Sequence, residues 1–380
     1  MGTDFGRVRN GTREVGNVMT DTTCSFPATS RRGSSPSTDF LSGSETPIIL
    51  TYLNRLPDRW LLGRSAALHG FPIAITGVGR KFNFADKLLS TRRAMWLLHT
   101  HNPRAPVIFA DGLDTVVSNP LSRMAALRLQ QASRSGTIIV GAECFSYPRC
   151  YRELYLKHLA HQACRASSPT CYANSGLYAG SSRALLRMLP KAFDAAKAGS
   201  GIEHNDDQAA MHRLILGGEI PMSVDADSTI FLNLHPCRGH PFKAPPMNGA
   251  LKGKGQITMC FYQEHEPLKH LTANGSTLMY DTRAHRGRRE KGTQRAGRGQ
   301  RPLVTHANGM HTRLADAFFG KPGKGLSRVP GAIAIATGWD SVFPELQAVL
   351  DYPVLLLDSP THGVCNISTV GRLQRHALDF

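Results

Sequence analysis

Residues 47–78 switch twice between two hydrophobic periods, and this restricts the fold more than any other feature of the chain. "PIILTYL" (47–53) is a short apolar, β-branched run with the pattern of a buried strand. "DRWLLGRSAALHG" (58–70) spaces its apolar residues as a helix does and stops at a glycine. "PIAITGV" (72–78) is a second strand. Strand, helix and strand within about thirty residues form a βαβ unit, which favours a parallel sheet with a helix laid on its face.

The alternation continues. "FADKLLSTRRAMWLLHTH" (84–101), "PLSRMAALRLQQAS" (120–133), "SSRALLRMLPKAFDAAKAG" (181–199) and "DDQAAMHRLILGG" (206–218) predict helices, the third with Pro190 placed to kink it. Residues 106–110, 136–143 and 222–234 predict strands. "CYANSGLYAGSS" (171–182) reads as a loop, either a plain one or one whose small residues let backbone approach a ligand closely. Near the C-terminus, "GAIAIAT" (331–337), "SVFPELQAVLD" (341–351) and "PVLLLD" (353–358) repeat the strand–helix–strand pattern, as extra strands of the same sheet or as the start of a further unit. The fold class is therefore α/β, with a mostly parallel central sheet flanked by helices. Residues 1–46, rich in Ser, Thr, Gly and Arg, are expected to form a disordered tail. The main domain is expected over 47–312, with a βαβ-like extension over 313–380.

Charge narrows the partners. The net charge is +17, but residues 281–301 alone hold eight Lys/Arg against two acids, and the first 46 residues are balanced with five of each. The 281–301 segment reads as a flexible basic insertion. The remaining excess is spread over more than three hundred residues, not gathered into a nucleic-acid face. No run of roughly 18 apolar residues predicts a transmembrane helix, and the N-terminus lacks the apolar core of a signal peptide. Eight cysteines occur without a CxxC pair, which argues against a zinc ribbon.

Against that basic background, "VIFADGLDTVV" (107–117) places Asp111 and Asp114 just past a strand. In open α/β sheets ligands bind beyond the carboxyl ends of strands. Two carboxylates there suit a hard divalent cation such as Mn²⁺ or Mg²⁺, or simply a helix cap or a turn. Asp206 and Asp207 open a helix, where they either cap it or place a carboxylate near a reacting centre. "PLVTHANGM" (302–310) delivers His306 at the end of a strand, as a structural histidine or as a metal ligand, with Asn308-Gly309 forming a turn.

In order along the chain, "FADGLD", "GAECFSYP", "NSGLYAG", "NDDQ", "IFLNL" and "HANG" resemble the glycosyltransferase domain of the procollagen-lysine hydroxylase/glycosyltransferase family, over about residues 48–312. The resemblance implies a GT-A-type nucleotide-sugar-binding fold and transfer of a hexose, glucose or galactose, from a UDP-sugar. The implied acceptor is a hydroxyl on a protein or glycan, hydroxylysine-linked in the family, with anomeric configuration retained. It implies Asp111, Asp114 and His306 as ligands of Mn²⁺ (or Mg²⁺), with Thr51 at the uridine and Asn308 and Gly309 beside the diphosphate. Asp206 and Asp207 would lie near the sugar and acceptor, and Glu143, Tyr147 and Asn174 on the acceptor side. It also implies the secretory pathway, endoplasmic reticulum or Golgi lumen. The chain departs from the family pattern at Ser146 and Tyr147, which replace Cys and Trp, and at Thr312, which replaces a Lys beside Arg313. The poly-Asp run is cut to two, and no His-x-Asp…His iron site follows, so the expectation is a transferase without hydroxylase activity. Two other classes fit some residues: a catalytically silent sugar- or protein-binding relative, and a nucleic-acid-binding protein using 281–301.

Overall fold

The computed structural model describes residues 46–54, 60–78, 82–143, 172–233 and 302–306, with Arg80, Tyr151, Tyr155 and four further short strands. The sequence motifs at 1–45, 144–150, 281–301 and 307–352 lie outside the described residues, including Tyr147, Asn308, Gly309 and the expected elements at 331–351.

Strand β1 (Ile48–Tyr52) leads through helix α1 (Leu61–Leu68) to β2 (Ile73–Thr76), and α2 (Phe84–His101) leads on to β3 (Pro106–Ala110). Then come β4 (Thr115–Val117), α3 (Arg123–Ser135), β5 (Ile138–Glu143), β6 (Tyr172–Ser181), α4 (Ser182–Ala198), α5 (Asp207–Gly217), β7 (Met222–Asp225) and β8 (Phe231–Asn233). The remaining strands are the hairpin β9 (Leu271–Asn274) and β10 (Thr277–Tyr280), then β11 (Val304–His306), β12 (Pro353–Leu357) and β13 (Gly363–Asn366).

Eight strands form one sheet in the order β13-β12-β2-β1-β3-β6-β5-β7. Its pairings make it mostly parallel: only β6 and β13 oppose the others. The expected parallel architecture is thus present, and "PVLLL" is a strand of this same sheet, paired with β2. The expected loop at 171–182 is corrected. Tyr172–Ser181 is a ten-residue strand, buried throughout, between β3 and β5. Asn, Ser and Gly have low strand propensity, but two flanking strands supply the ladder, and small side chains are what a doubly covered position accommodates. The mismatch shows as a register shift beside Gly141. Pro190 lies within α4, which runs on past it to Ala198.

Alternation along each strand feeds two cores. Leu50, Val107, Phe109, Val140 and Tyr178 face α2, α4 and α5, where Phe109 stacks on Tyr178 at 4.6 Å. Ile49, Ile108, Ile139 and Leu177 face α1 and α3 on the other side. Each such buried side chain stabilises the fold by roughly 1.5–3 kcal/mol. Local signals fix the helix ends: Asn83, Ser122, Ser181 and Asp206 each accept a hydrogen bond from the backbone N–H three residues on. Gly136 and Gly218 close α3 and α5 with φ of 70° and 67°, a conformation that favours glycine.

The sheet order locates the crevice. From β1 the chain crosses to β2 on one side and then returns to β3 on the other, with α1 and α2 on opposite faces. The strand order therefore reverses between β1 and β3, and it is at such a reversal, beyond the carboxyl ends of the strands, that open α/β sheets bind ligands. Among the described residues no helix is long and apolar enough to cross a membrane.

Candidate metal centre

Asp111 follows β3 directly at that switch point. Its backbone N–H donates to Gly176 O at 2.9 Å, and the Thr115 hydroxyl donates to its carbonyl oxygen, closing the Asp-Gly-Leu-Asp turn. The turn feeds β4, the edge of a second sheet in the order β4-β11-β8. Register in this small sheet brings distant residues together. His306 of β11 lies opposite Thr115 on one side, next in sequence to Asp114, and opposite Asn233 on the other.

The result is a cluster of Asp111, Asp114 and His306 whose ligand atoms all lie within 4.8 Å of one another. His306 Nε2 is 3.3 Å from Asp114 Oδ1 and 4.0 Å from Asp111 Oδ2. Adjacent ligands around a small octahedral dication stand about 3 Å apart, so the three need little adjustment to share one.

The tautomer of His306 supports the fit. Asn233 Nδ2 donates to Ala142 O at 2.9 Å, which turns Oδ1 of the same amide to His306 Nδ1 at 2.8 Å. An amide oxygen only accepts, so Nδ1 carries the proton and the neutral ring presents a lone pair at Nε2. That nitrogen is buried and makes no well-aligned hydrogen bond. A bare lone pair facing two carboxylates calls for a cation: a metal ion, or a proton in its place. Burial works against the charged imidazole, but Asp114, Asp111 and Glu143 outweigh it, and the His306 pKa is raised above the usual value.

Gly176 on β6 keeps the space open. A Cβ there would sit 2.6 Å from Asp111 Oδ2 and 2.7 Å from His306 Cε1. Gly176→Ala is therefore expected to displace both ligands and weaken Mn²⁺ binding by about tenfold or more, as changes in the support of metal ligands do. Isothermal titration against wild type reads this out, and unchanged affinity would show that the pocket tolerates the methyl.

A second charge layer lies behind the triad. Lys87, on the first turns of α2, is 4% exposed. Its ammonium stands 3.1 Å from Asp111 Oδ1 and 2.5 Å from Asp207 Oδ2. Burial alone would lower its pKa, but the two carboxylates reverse this and raise it. Lys87 thus holds one oxygen of Asp111 and leaves the other, Oδ2, toward His306. The contact with Asp207 is an ion pair, not an aligned hydrogen bond.

Of the other residues singled out in the sequence, Asp206 caps α5, accepting from Ala209 N at 2.7 Å, and burial raises its pKa. Glu143 and Asn174 are both buried to 1% exposure beside the centre. Glu143 accepts from Asn174 Nδ2 at 2.9 Å and from the Gln208 amide, while Asn174 Oδ1 accepts from Gly176 N at 2.9 Å. Thr51, mid-strand in β1, is fully buried, and its hydroxyl has no hydrogen-bond partner among the described residues.

Sequence reasoning missed Lys87, Asn233, Gln208 and the specific part of Gly176. Lys87 had a readable signal: it shares a helical stripe with Thr91, Ala94 and Leu98, all buried, and a lysine on a buried stripe needs a carboxylate partner. Asn233 stands in the quoted "IFLNL" motif, but its role depends on the pairing of β8 with β11, about seventy residues away, which no local pattern announces. Compared with models of protein families and with curated proteins, the chain matches none.

Proposed function

We propose that the chain is a metal-dependent glycosyltransferase of GT-A type that moves a hexose from a UDP-sugar to a hydroxyl acceptor. The observation that carries this reading is the convergence of Asp111, Asp114 and the lone pair of His306 at the switch point of the sheet. A nucleotide diphosphate bound beyond β1 and β3 would meet this cluster with its charged end, and Thr51 lies on β1, the strand on the other side of that crevice.

Mn²⁺ or Mg²⁺ held by the three ligands would supply Lewis-acid stabilisation of the UDP leaving group. The chain's own residues supply the rest. Asp111 and Asp114 would give the negative charge to retain such an ion, and Asn233 fixes the imidazole so that Nε2 would be free to bind it. Lys87 pins Asp111 and sets a buried positive charge behind it, on the side away from His306, which would offset the charge of a bound diphosphate. Glu143, Asn174 and Gln208 form a hydrogen-bonded layer that keeps β5, β6 and α5 in register beneath it. Asp206 lies beside that layer, partly buried, where it could face the sugar or its acceptor.

The test is a screen of UDP-sugars for UDP release, with Mn²⁺ and with chelator. The reading expects metal-dependent release from UDP-glucose or UDP-galactose. Metal binding without release from any UDP-sugar, with acceptor hydroxyls supplied, would instead support a silent relative that binds the nucleotide sugar.

A further inference from the structure

The opposite end of the sheet carries a feature that the metal centre does not use. Arg104, Arg134, Arg183 and Arg187 line one cavity of about 640 Å³. It is bounded by the residues before β3, the end of α3, the last residue of β6 and the first turns of α4. Strand β3 has five residues and separates this cavity from Asp111, so the two sites lie about 17 Å apart at the usual strand rise.

All four arginines are exposed, and no carboxylate pairs with any of them among the described residues. The described lining contains no Asp or Glu. Arg183 and Arg187 stand four apart on α4 and so share a helix face, a spacing at which like charges repel. Arg187 reaches across Gly136, where a Cβ would meet Nη2 at 2.9 Å. This glycine therefore both ends α3 and makes room for the guanidinium. The amides of the first turn of α4 are already engaged: Ser182 N donates to Ala105 O, Arg183 N to Pro103 O and Ala184 N to Ser181 Oγ. Any anion here would be held by guanidinium groups and not by the helix terminus.

We infer that this cavity binds a small anion carrying two or more phosphate or sulfate groups. A guanidinium fork matches phosphate and sulfate oxygens in a bidentate manner. The volume falls within the range of small-molecule sites, roughly 300–1,000 Å³. Four guanidinium groups on one cavity supply more positive charge than a single orthophosphate carries negative, so the site favours several anionic groups on one ligand. This inference is independent of the metal-centre reading.

The probe is inorganic tripolyphosphate, titrated calorimetrically into the full chain with EDTA present at about 150 mM salt, where long-range attraction is screened. Saturable binding is expected, with orthophosphate weaker by about tenfold or more. The double variant Arg183→Ser/Arg187→Ser is expected to lose about tenfold or more in tripolyphosphate affinity. The control Arg92→Ser/Arg123→Ser removes the same charge elsewhere and is expected to change affinity by less than about threefold. A fully sulfated disaccharide run in parallel separates phosphate from sulfate preference, and binding of either supports the site. Absence of saturable binding by both probes would overturn the inference. So would equal losses in the two double variants, which would mark a diffuse effect of net charge.

Discussion

Asp114→Ala is expected to weaken Mn²⁺ binding by about a hundredfold or more while the protein stays folded. Loss of residues that merely support metal ligands already costs 10–100-fold, and Asp114 would be a ligand itself. It is also the acid closest to the imidazole, at 3.3 Å from Nε2, so its loss leaves His306 with only Asp111, 4.0 Å away. The turn that carries it is held independently by Asp111 N on Gly176 O and by the Thr115 hydroxyl, so unfolding is not the expected route. Titration of free Mn²⁺ by electron paramagnetic resonance gives the affinity, and circular dichroism confirms the fold. Wild-type affinity in a folded variant would remove the metal centre, and with it the proposed chemistry.

The same titration has a pH signature. A proton on His306 Nε2 and a metal ion compete for one lone pair. Because the His306 pKa is raised, the competition begins above the ordinary imidazole range of about 6.5. Mn²⁺ affinity in the wild type is therefore expected to fall already as pH drops through neutrality.

What the sequence disclosed depended on whether the signal was local. Strands β1, β2, β3 and β5 and helix α2 were legible because each carries its own period; α2 runs over 84–101 as its apolar spacing predicts. The acidic pair was legible because it follows a strand in an α/β pattern. Strand β6 was not, because its residues are poor strand formers and its stability comes from β3 and β5 on either side. The approach of His306 to Asp114 rests on three-residue strands paired across nearly two hundred residues. Its residue type and strand-end position suggested a ligand, but only register shows which groups it meets. Asp207 shows the limit of motif reading. As half of an Asp-Asp pair at a helix start it suggested capping or catalysis, yet only its neighbour Asp206 caps, and Asp207 turns inward to Lys87.

That inward ion pair gives the largest expected change in stability. Lys87→Met keeps length and apolar volume but leaves Asp207, whose side chain is 4% exposed, as a buried carboxylate without its cation. Breaking one side of a buried pair costs about 3–5 kcal/mol, because the charge left behind has lost both solvent and partner. For a domain of this size that corresponds to a fall in Tm of roughly 6–20 °C. Since the folded-state pKa of Lys87 is raised, its contribution is fully present below the unfolded lysine pKa of about 10.4 and is lost only as pH rises beyond it. A thermal melt near neutral pH therefore samples the whole effect. The cause is separable from lost packing by a second substitution. Asp207→Asn removes the stranded charge with little change of shape, so Lys87→Met/Asp207→Asn is expected to recover about half or more of the loss, a coupling of about 2 kcal/mol. Part of the cost should persist, because Lys87 also neutralises Asp111 at 3.1 Å. A single variant that melts with the wild type would mean that Asp207 finds another partner. A double variant no more stable than the single would mean that Lys87 acts through its packing against Phe84 and Phe109, over whose rings its ammonium lies at 5.7 Å and 5.6 Å.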